Sequence, residues 1–465
     1  MDESGTTASR GARPRPIRPE LAFVVLATVF GVLLALWFRP FAGFDEQEHY
    51  LRTYQLTQLR ALPEKRHGVV GGVFPSAVVR SVHAEADTTL FHPRPRLYDF
   101  RHFFLTGRER ADQRAHRVFG GFLNNAYSPF VFAPGAVGMA IGRALHASPL
   151  GLLYLARFTN LAAFVLLVAL AIRRFPKAGW LFCVIGLLPT ALFQGASISA
   201  DGVTMGMTFL VVASALARLD PGFVATRRTT VEAVGLCVAI GLCKPPYLLV
   251  ASLYLLPLAR RANRRLGPAL LLAAPVALAG AVYAAWAAYA SPTFVPIRET
   301  LTQRHRDIDV GRQLHVVLHS PDTFLAAVAH LLRTDGWTTL RESIGSLGRM
   351  SGGLPLWLVL CWAALLLVAT WWAATSSPAL SGATRAALGG LALVLLVGIL
   401  LTLYVGNTPV GRHGIDYMQG RYYLPLFPLV LLLAPRLRRM APVLPVLVTG
   451  ALAALWTASL VVATT

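Results

Sequence analysis

A few ionisable side chains in this sequence sit where chemistry would need them. The sharpest group is Phe44-Asp45-Glu46-Gln47-Glu48-His49-Tyr50, a few positions after an apolar run at residues 21–37. It reads either as a solvated acidic loop or as a carboxylate held at a lipid boundary. There, desolvation and like-charged neighbours would raise its pKa toward that of a useful general base. Asp201, in Gln194-Gly195-Ala196-Ser197-Ile198-Ser199-Ala200-Asp201-Gly202, lies where one apolar segment ends and the next begins. It reads as a wetted boundary group, as a helix N-cap ahead of Gly202, or as a second candidate for chemistry.

Lys244, in Leu242-Cys243-Lys244-Pro245-Pro246-Tyr247, is one of 3 lysines against 40 arginines. Between two apolar runs it either snorkels to the surface or pairs with an anion, because an unpartnered cation in hydrocarbon costs at least about 2.5 kcal/mol. Pairing with Asp201 or with a phosphate fits its place at the outer end of a span. Arg421 carries the planar fork that suits a phosphate, and the adjacent Tyr422 and Tyr423 also fit membrane-interface aromatics. Arg157, near the end of another apolar run, reads as a phosphate ligand or as half of a salt bridge. Asn124, Asn125 and Tyr127 suit hydrogen bonding to a polar substrate and plain surface exposure equally. His67, His83, His92, His102 and His116 show no metal-ligand spacing.

The elements that must position these groups follow from composition. Of 465 residues, 55% are hydrophobic and only 14% charged, and mean hydropathy is +0.56, against about a quarter charged in a soluble protein. Disorder, a coiled coil and an ordinary soluble enzyme are excluded. Several apolar runs reach about 20 residues, the length that crosses a bilayer. A net charge of +21 would suggest nucleic acid in a soluble chain, but here much of the arginine clusters in short loops between apolar runs, as the positive-inside rule requires. Nucleic acid is not an expected partner. The cysteines (Cys183, Cys237, Cys243, Cys361) lie within apolar segments and read as small core residues.

The expected fold is an all-α polytopic membrane protein of about eleven spans, with residues 1–20 a cytoplasmic tail and 21–465 one transmembrane domain. Spans are expected near 21–37, 150–172, 178–196, 202–217, 231–246, 247–259, 268–290, 354–373, 387–404, 422–434 and 442–462. Residues 128–146 are expected to lie in the interface, because a span there would put the Arg173-Arg174-Phe175-Pro176-Lys177 cluster outside. This topology places the amino terminus inside and leaves two large outer loops, 39–149 and 291–353. Of the 22 acidic residues, 17 fall on the outer side and only Asp2, Glu3, Glu20, Asp220 and Glu232 inside. The chemistry is therefore expected on the outer face. No phosphate-cradling glycine loop points to ATP, and no internal repeat points to a transporter.

A first helix followed by an acidic pair in a large outer loop resembles the GT-C superfamily of membrane glycosyltransferases. More closely, six passages resemble a bacterial polytopic family of unknown function grouped with that superfamily. They are Asp45-Glu46-Gln47-Glu48-His49-Tyr50, Tyr127-Ser128-Pro129-Phe130, Ala156-Arg157-Phe158-Thr159-Asn160-Leu161, Ser197-Ile198-Ser199-Ala200-Asp201-Gly202, Lys244-Pro245-Pro246-Tyr247 and Gln419-Gly420-Arg421-Tyr422-Tyr423-Leu424-Pro425. Phe44 departs from the proline that family has before the acid.

The resemblance implies an inverting transfer of a sugar from a polyprenyl-phosphate carrier to an envelope glycan or lipid acceptor, on the outer face of a bacterial plasma membrane. It implies Asp45 as the base, Glu46 as orienter or metal ligand, and Asp201 as a second acid facing the first loop. Lys244, Arg421 and Arg157 would meet the donor phosphate, and Glu48, His49, Asn125, Tyr127, Tyr247, Gln419 and Tyr422 the substrates. A divalent metal is the one cofactor left open. The rival readings are a lipid-linked sugar flippase, which would spread polar residues through the bundle centre, and a non-catalytic envelope-assembly protein, which would not need Asp45 or Asp201.

Overall fold

A computed structural model describes residues 17–67, 69–91, 116–122, 127–220, 222–256, 266–293, 307–348, 353–376, 380–435 and 444–464. Among them, seven helices are long and apolar enough to cross a bilayer, or eight if one bent pair counts as a single span. The seven are α1 (Pro19–Trp37) and, further along the chain, helices whose spanning stretches are Pro149–Arg174, Ala200–Ala217, Ala274–Thr293, Leu356–Ser376, Gly382–Asn407 and Pro445–Ala463. Each coincides with an expected span.

The other four expected spans differ, and proline is the reason. Residues 178–196 form a pair bent by 76° instead of one span. Pro189 starts the second member, and a proline inside a helix can neither donate its N–H nor fit the preceding turn. The carbonyl of Leu187, left over at the break, accepts a hydrogen bond from Trp456 Nε1 at 2.9 Å. Residues 231–246 and 247–259 give a helix, Arg227–Gly241, that stops short of Pro245-Pro246, then a 3-10 run, Pro245–Leu255. Here Ser128 Oγ caps the freed Leu242 carbonyl at 2.6 Å. Residues 422–434 give a 3-10 turn, Gly420–Leu426, and a short helix, Phe427–Leu431.

The first large loop contains something the hydropathy pattern did not indicate. After α2 (Glu46–Leu56), strands β1 (Glu64–Arg66), β2 (Val69–Pro75) and β3 (Arg117–Gly121) form an antiparallel sheet in the order β1-β2-β3. Gln55 and Gln58 of α2 donate to the Gly71 and Val73 carbonyls, both at 3.2 Å, and Tyr54 packs edge-on against Phe74. This layer has its own small core of Phe41, Tyr50, Tyr54, Phe74, Met139 and Ile198, among others. Helix α3 (Ser76–Phe91) follows the sheet. The stretch expected in the interface becomes a 3-10 turn and α4 (Ala133–Ala144), 12 residues or about 18 Å, too short to span.

Helix α5 (Pro149–Arg174) begins with Ser148 as N-cap and Pro149 at N1, and Tyr50 of α2 donates to the Pro149 carbonyl at 2.8 Å. The bent pair is α6 (Gly179–Gly186) and α7 (Pro189–Ala196), and α8 (Ala200–Ala217) runs buried through the centre of the bundle. The chain from α1 to α8 therefore brings the loop after α1, the turn between α7 and α8, and the start of α5 to one end. At the opposite end Arg174 pairs with Glu232, and Lys177 with Asp220.

Candidate active site

Asp45 is the residue before α2 and adopts a left-handed backbone, φ 56°, a conformation that Asp tolerates better than most residues. The turn aims its carboxylate away from that of Glu46. Asp45 Oδ2 accepts from Arg421 Nη2 at 2.9 Å, while Arg421 Nε lies 3.0 Å from Asp201 Oδ2. Lys244 Nζ pairs with Asp201 Oδ1. The chain thus closes two acids and two cations into one quartet with no formal charge. Asp201, Lys244 and Arg421 are buried, and Asp45 is partly exposed.

Local sequence explains each placement. Ser199, not Asp201, is the N-cap of α8, its Oγ accepting from the Asp201 N–H at 3.0 Å and donating to Gln194 Oε1 at 2.8 Å. Asp201 therefore sits in the first helical turn, where the helix dipole favours an anion. Gly202 is required by close approach: a Cβ there would lie 2.8 Å from the Gln194 carbonyl oxygen. Pro245 and Pro246 end the preceding helix path, leaving Lys244 in an extended conformation at the head of the 3-10 run. Gly420 lets the Arg421 segment pass the helix Gly336–Gly345, since a Cβ there would collide with the Ser343 nitrogen.

Aromatic faces wall the cations. Lys244 Nζ lies 5.0 Å from the Tyr127 ring centroid and 5.4 Å from that of Tyr422. The Arg421 guanidinium lies 4.4 Å over Phe44 and 5.2 Å over Tyr422. Ring faces are negative, and such contacts strengthen as water is excluded. The departure at Phe44 thus supplies a stacking partner for Arg421. Tyr247 donates to the Tyr422 carbonyl at 3.1 Å and holds that wall in place. His49 is buried, its Nδ1 3.1 Å from the Ile198 carbonyl and its ring against Phe132. A carbonyl only accepts, so Nδ1 carries the proton.

Among the described residues, Arg421 Nη1 and Gln419 Oε1 make no hydrogen bond, and Arg421 Nε and Asp201 Oδ2 meet at 3.0 Å as an ion pair without hydrogen-bond alignment. Buried polar groups are nearly always satisfied, so this site is one of the places among the described residues where the protein's own bonding is incomplete.

Glu46 and Arg157 do not join the quartet. Arg157 donates through Nε and Nη2 to Glu46 at 2.8 and 2.6 Å, through Nη1 to the Ala35 and Phe38 carbonyls at 2.8 and 3.0 Å, and through Nη2 to the Arg39 carbonyl at 2.9 Å. All its donors are used, so the expectation that it meets phosphate is replaced by the salt-bridge reading. The Glu46 oxygens also accept from the Ile198 and Gly43 N–H groups at 3.0 and 3.1 Å. Saturated in this way, Glu46 has no free lone pair for an acceptor proton or a metal. Glu48 is half-buried on α2, and Asn125 lies outside the described residues.

Electrostatics correct a further expectation. Burial raises the Asp45 carboxyl, but Arg421, His49 and Lys244 outweigh it and hold the group below the usual carboxylate range. The net shift is thus opposite to the elevation expected from like-charged neighbours, and Glu46 itself is paired with Arg157. Burial lowers His49, more than Asp45 and Asp201 can offset, so its imidazole is neutral near pH 7. Among the described residues no three His, Cys, Asp or Glu side chains converge as metal ligands. Both acids of the quartet are already matched by cations, so this donor set does not suit a divalent ion.

The crystal structure of ArnT from Cupriavidus metallidurans in the apo state is similar at 13% identity and a TM-score of 0.36, over 95% of this chain and 61% of that one. The chain thus spans about three-fifths of the length of that protein. No curated protein matches. Residues 28–430, a stretch that includes all of the quartet, match the family described as predicted membrane protein (DUF2142), and the chain belongs to that family.

Proposed function

We propose that this protein is an inverting membrane glycosyltransferase that moves a sugar from a polyprenyl-phosphate carrier to an envelope glycan or lipid acceptor, at the outer face of a bacterial plasma membrane. One observation carries the reading. A buried guanidinium with unused donors stands beside a second cation and two carboxylates, at the end of the bundle where a membrane-embedded lipid would present its headgroup. A phosphodiester would supply the acceptor that Arg421 Nη1 lacks among the described residues and an aligned one for Nε, and such charge-assisted bonds are the strong ones.

In the reaction, the acceptor oxygen bonds to the anomeric carbon from the face opposite the carrier. The bond from that carbon to the phosphate oxygen breaks, and its electron pair leaves on the phosphate. Arg421 and Lys244 meet that charge, and the acceptor's proton passes to Asp45. In the free protein Asp45 is a weak base because Arg421 holds it. A phosphate that takes over part of the Arg421 charge frees Asp45, so donor binding switches on the base. Asp201 keeps Lys244 and Arg421 in place, and Tyr127, Tyr247, Gln419, Tyr422 and His49 shape the pocket.

The test is lipid-linked glycan profiling of a deletion strain carrying wild-type protein, Asp45→Asn protein, or none. Loss of transfer should leave polyprenyl-phosphate sugar to accumulate in the second and third strains only. An unchanged carrier-lipid profile in the deletion strain would sink the reading.

A further inference from the structure

The ion pair of Glu46 with Arg157 is the most completely buried in the described protein, with 0% and 2% of the two side chains exposed. It also lies between the segments that carry the two acids. Glu46 directly follows Asp45, and the Ile198 N–H that Glu46 accepts belongs to the turn three residues before Asp201. Arg157 reaches from α5 to the three carbonyls at the end of α1 and just beyond it. We infer that Glu46 and Arg157 form a clasp that sets the position of the Asp45 turn relative to the Asp201 turn, as a positioning pair that touches neither substrate. The functional meaning of this inference rests on the proposed transferase reading; its geometric content does not.

The physical case is one of matching geometry. A carboxylate offers about four lone-pair directions and a guanidinium five N–H groups in a rigid fork. Here both inventories are used, and together the bonds tie five segments to one another: α1, the loop after it, α2, α5 and the turn before α8. Lysine keeps the charge of arginine but offers three donors without the planar fork. A role that needs only charge survives Arg157→Lys, whereas a role that needs the fork does not. Glutamine at position 46 keeps the shape but leaves a buried guanidinium without its counter-charge, which is strongly destabilising.

Hydrogen–deuterium exchange on purified protein tests the clasp without any assay of function. In both Glu46→Gln and Arg157→Lys, peptides covering residues 40–46 and those covering 196–201 should exchange together, at least about tenfold faster than wild type. Peptides from 310–334 should be unchanged. If either single variant fails to fold, the double variant Glu46→Gln with Arg157→Met, which removes both charges at once, should fold and show the same paired loss. Wild-type protection at either segment in Arg157→Lys, or loss confined to one segment, would overturn the inference.

Where transfer can be measured, both variants should lower the rate at saturating donor, with the donor KM and the midpoint of the pH profile unmoved. A raised donor KM in Arg157→Lys, or a shifted pH midpoint in Glu46→Gln, would instead place these residues on substrate. If no transfer is found for the wild-type protein, the exchange result still decides the clasp while the transferase reading fails alone.

Discussion

Arg421 Nη2 and Asp45 Oδ2 meet at 2.9 Å across 376 residues of sequence. That contact joins the loop after the first helix to the segment before Phe427–Leu431, and it ties the acid proposed as base to the cation proposed to take its substrate. Base strength and donor binding are therefore coupled through one guanidinium.

Asp45→Asn removes the proton acceptor while keeping its shape. Transfer should fall by about 10²–10⁴-fold, with donor binding retained or tightened because Arg421 loses a competing anion. Transfer at the parental rate by Asp45→Asn protein at normal abundance would move the base elsewhere.

Lys244→Ala and Arg421→Ala each delete a phosphate ligand, worth roughly 1.5–3 kcal/mol or about tenfold or more in donor affinity. The quartet adds a second cost, because each change leaves a buried acid short of a cation, about 3–5 kcal/mol of stability. Lys244→Met combined with Asp201→Asn should recover much of the stability lost in Lys244→Ala and none of the donor affinity. Thermal unfolding in detergent and donor titration separate the two effects.

Acid should destabilise the folded protein in two steps. His49 is held below its ordinary 6.5, so the unfolded chain takes up its proton first and stability falls as pH drops below about 6.5. Asp45 is held below its ordinary 3.8, so its contribution is present above that value and lost as pH falls through its lower folded value. The unfolding temperature should therefore decline from pH 7 to pH 5, and His49→Gln should flatten that decline. An equal decline in His49→Gln would show that another group titrates.

Trp456→Phe keeps the ring near Phe30, with which Trp456 stacks at 5.4 Å, and removes the hydrogen bond to the Leu187 carbonyl. The break between α6 and α7 would then hold an unsatisfied buried carbonyl. A loss of about 1–3 kcal/mol of stability is expected, measured by thermal unfolding. No loss would mean that the freed carbonyl has another partner.

Sidedness can be read directly. On a background lacking native cysteines, Arg60→Cys and Val310→Cys should react with an impermeant thiol reagent in intact spheroplasts, and Arg228→Cys should not. All three positions are exposed. Labelling of position 228 from outside would invert the face on which the site operates.

By itself the sequence determined the membrane class and seven of the spans, because crossing a bilayer demands a continuous apolar run that local composition reveals. It also singled out Asp45, Asp201, Lys244 and Arg421, because charges are scarce at span ends and costly without partners. What it could not determine is how those charges divide. Glu46 and Asp45 are adjacent and alike as letters, yet a left-handed turn at Asp45 sends one carboxylate to Arg421 and the other to Arg157. Pairing over more than a hundred residues depends on which helix ends the bundle gathers, and no local pattern encodes that. The sheet in the first loop stayed hidden because its strands are short and β3 is distant in sequence from the β1-β2 hairpin. Proline breaks the segments at Pro189, Pro245 and Pro425, and the carbonyls freed at the first two find partners in Trp456 and Ser128, which only the folded bundle supplies.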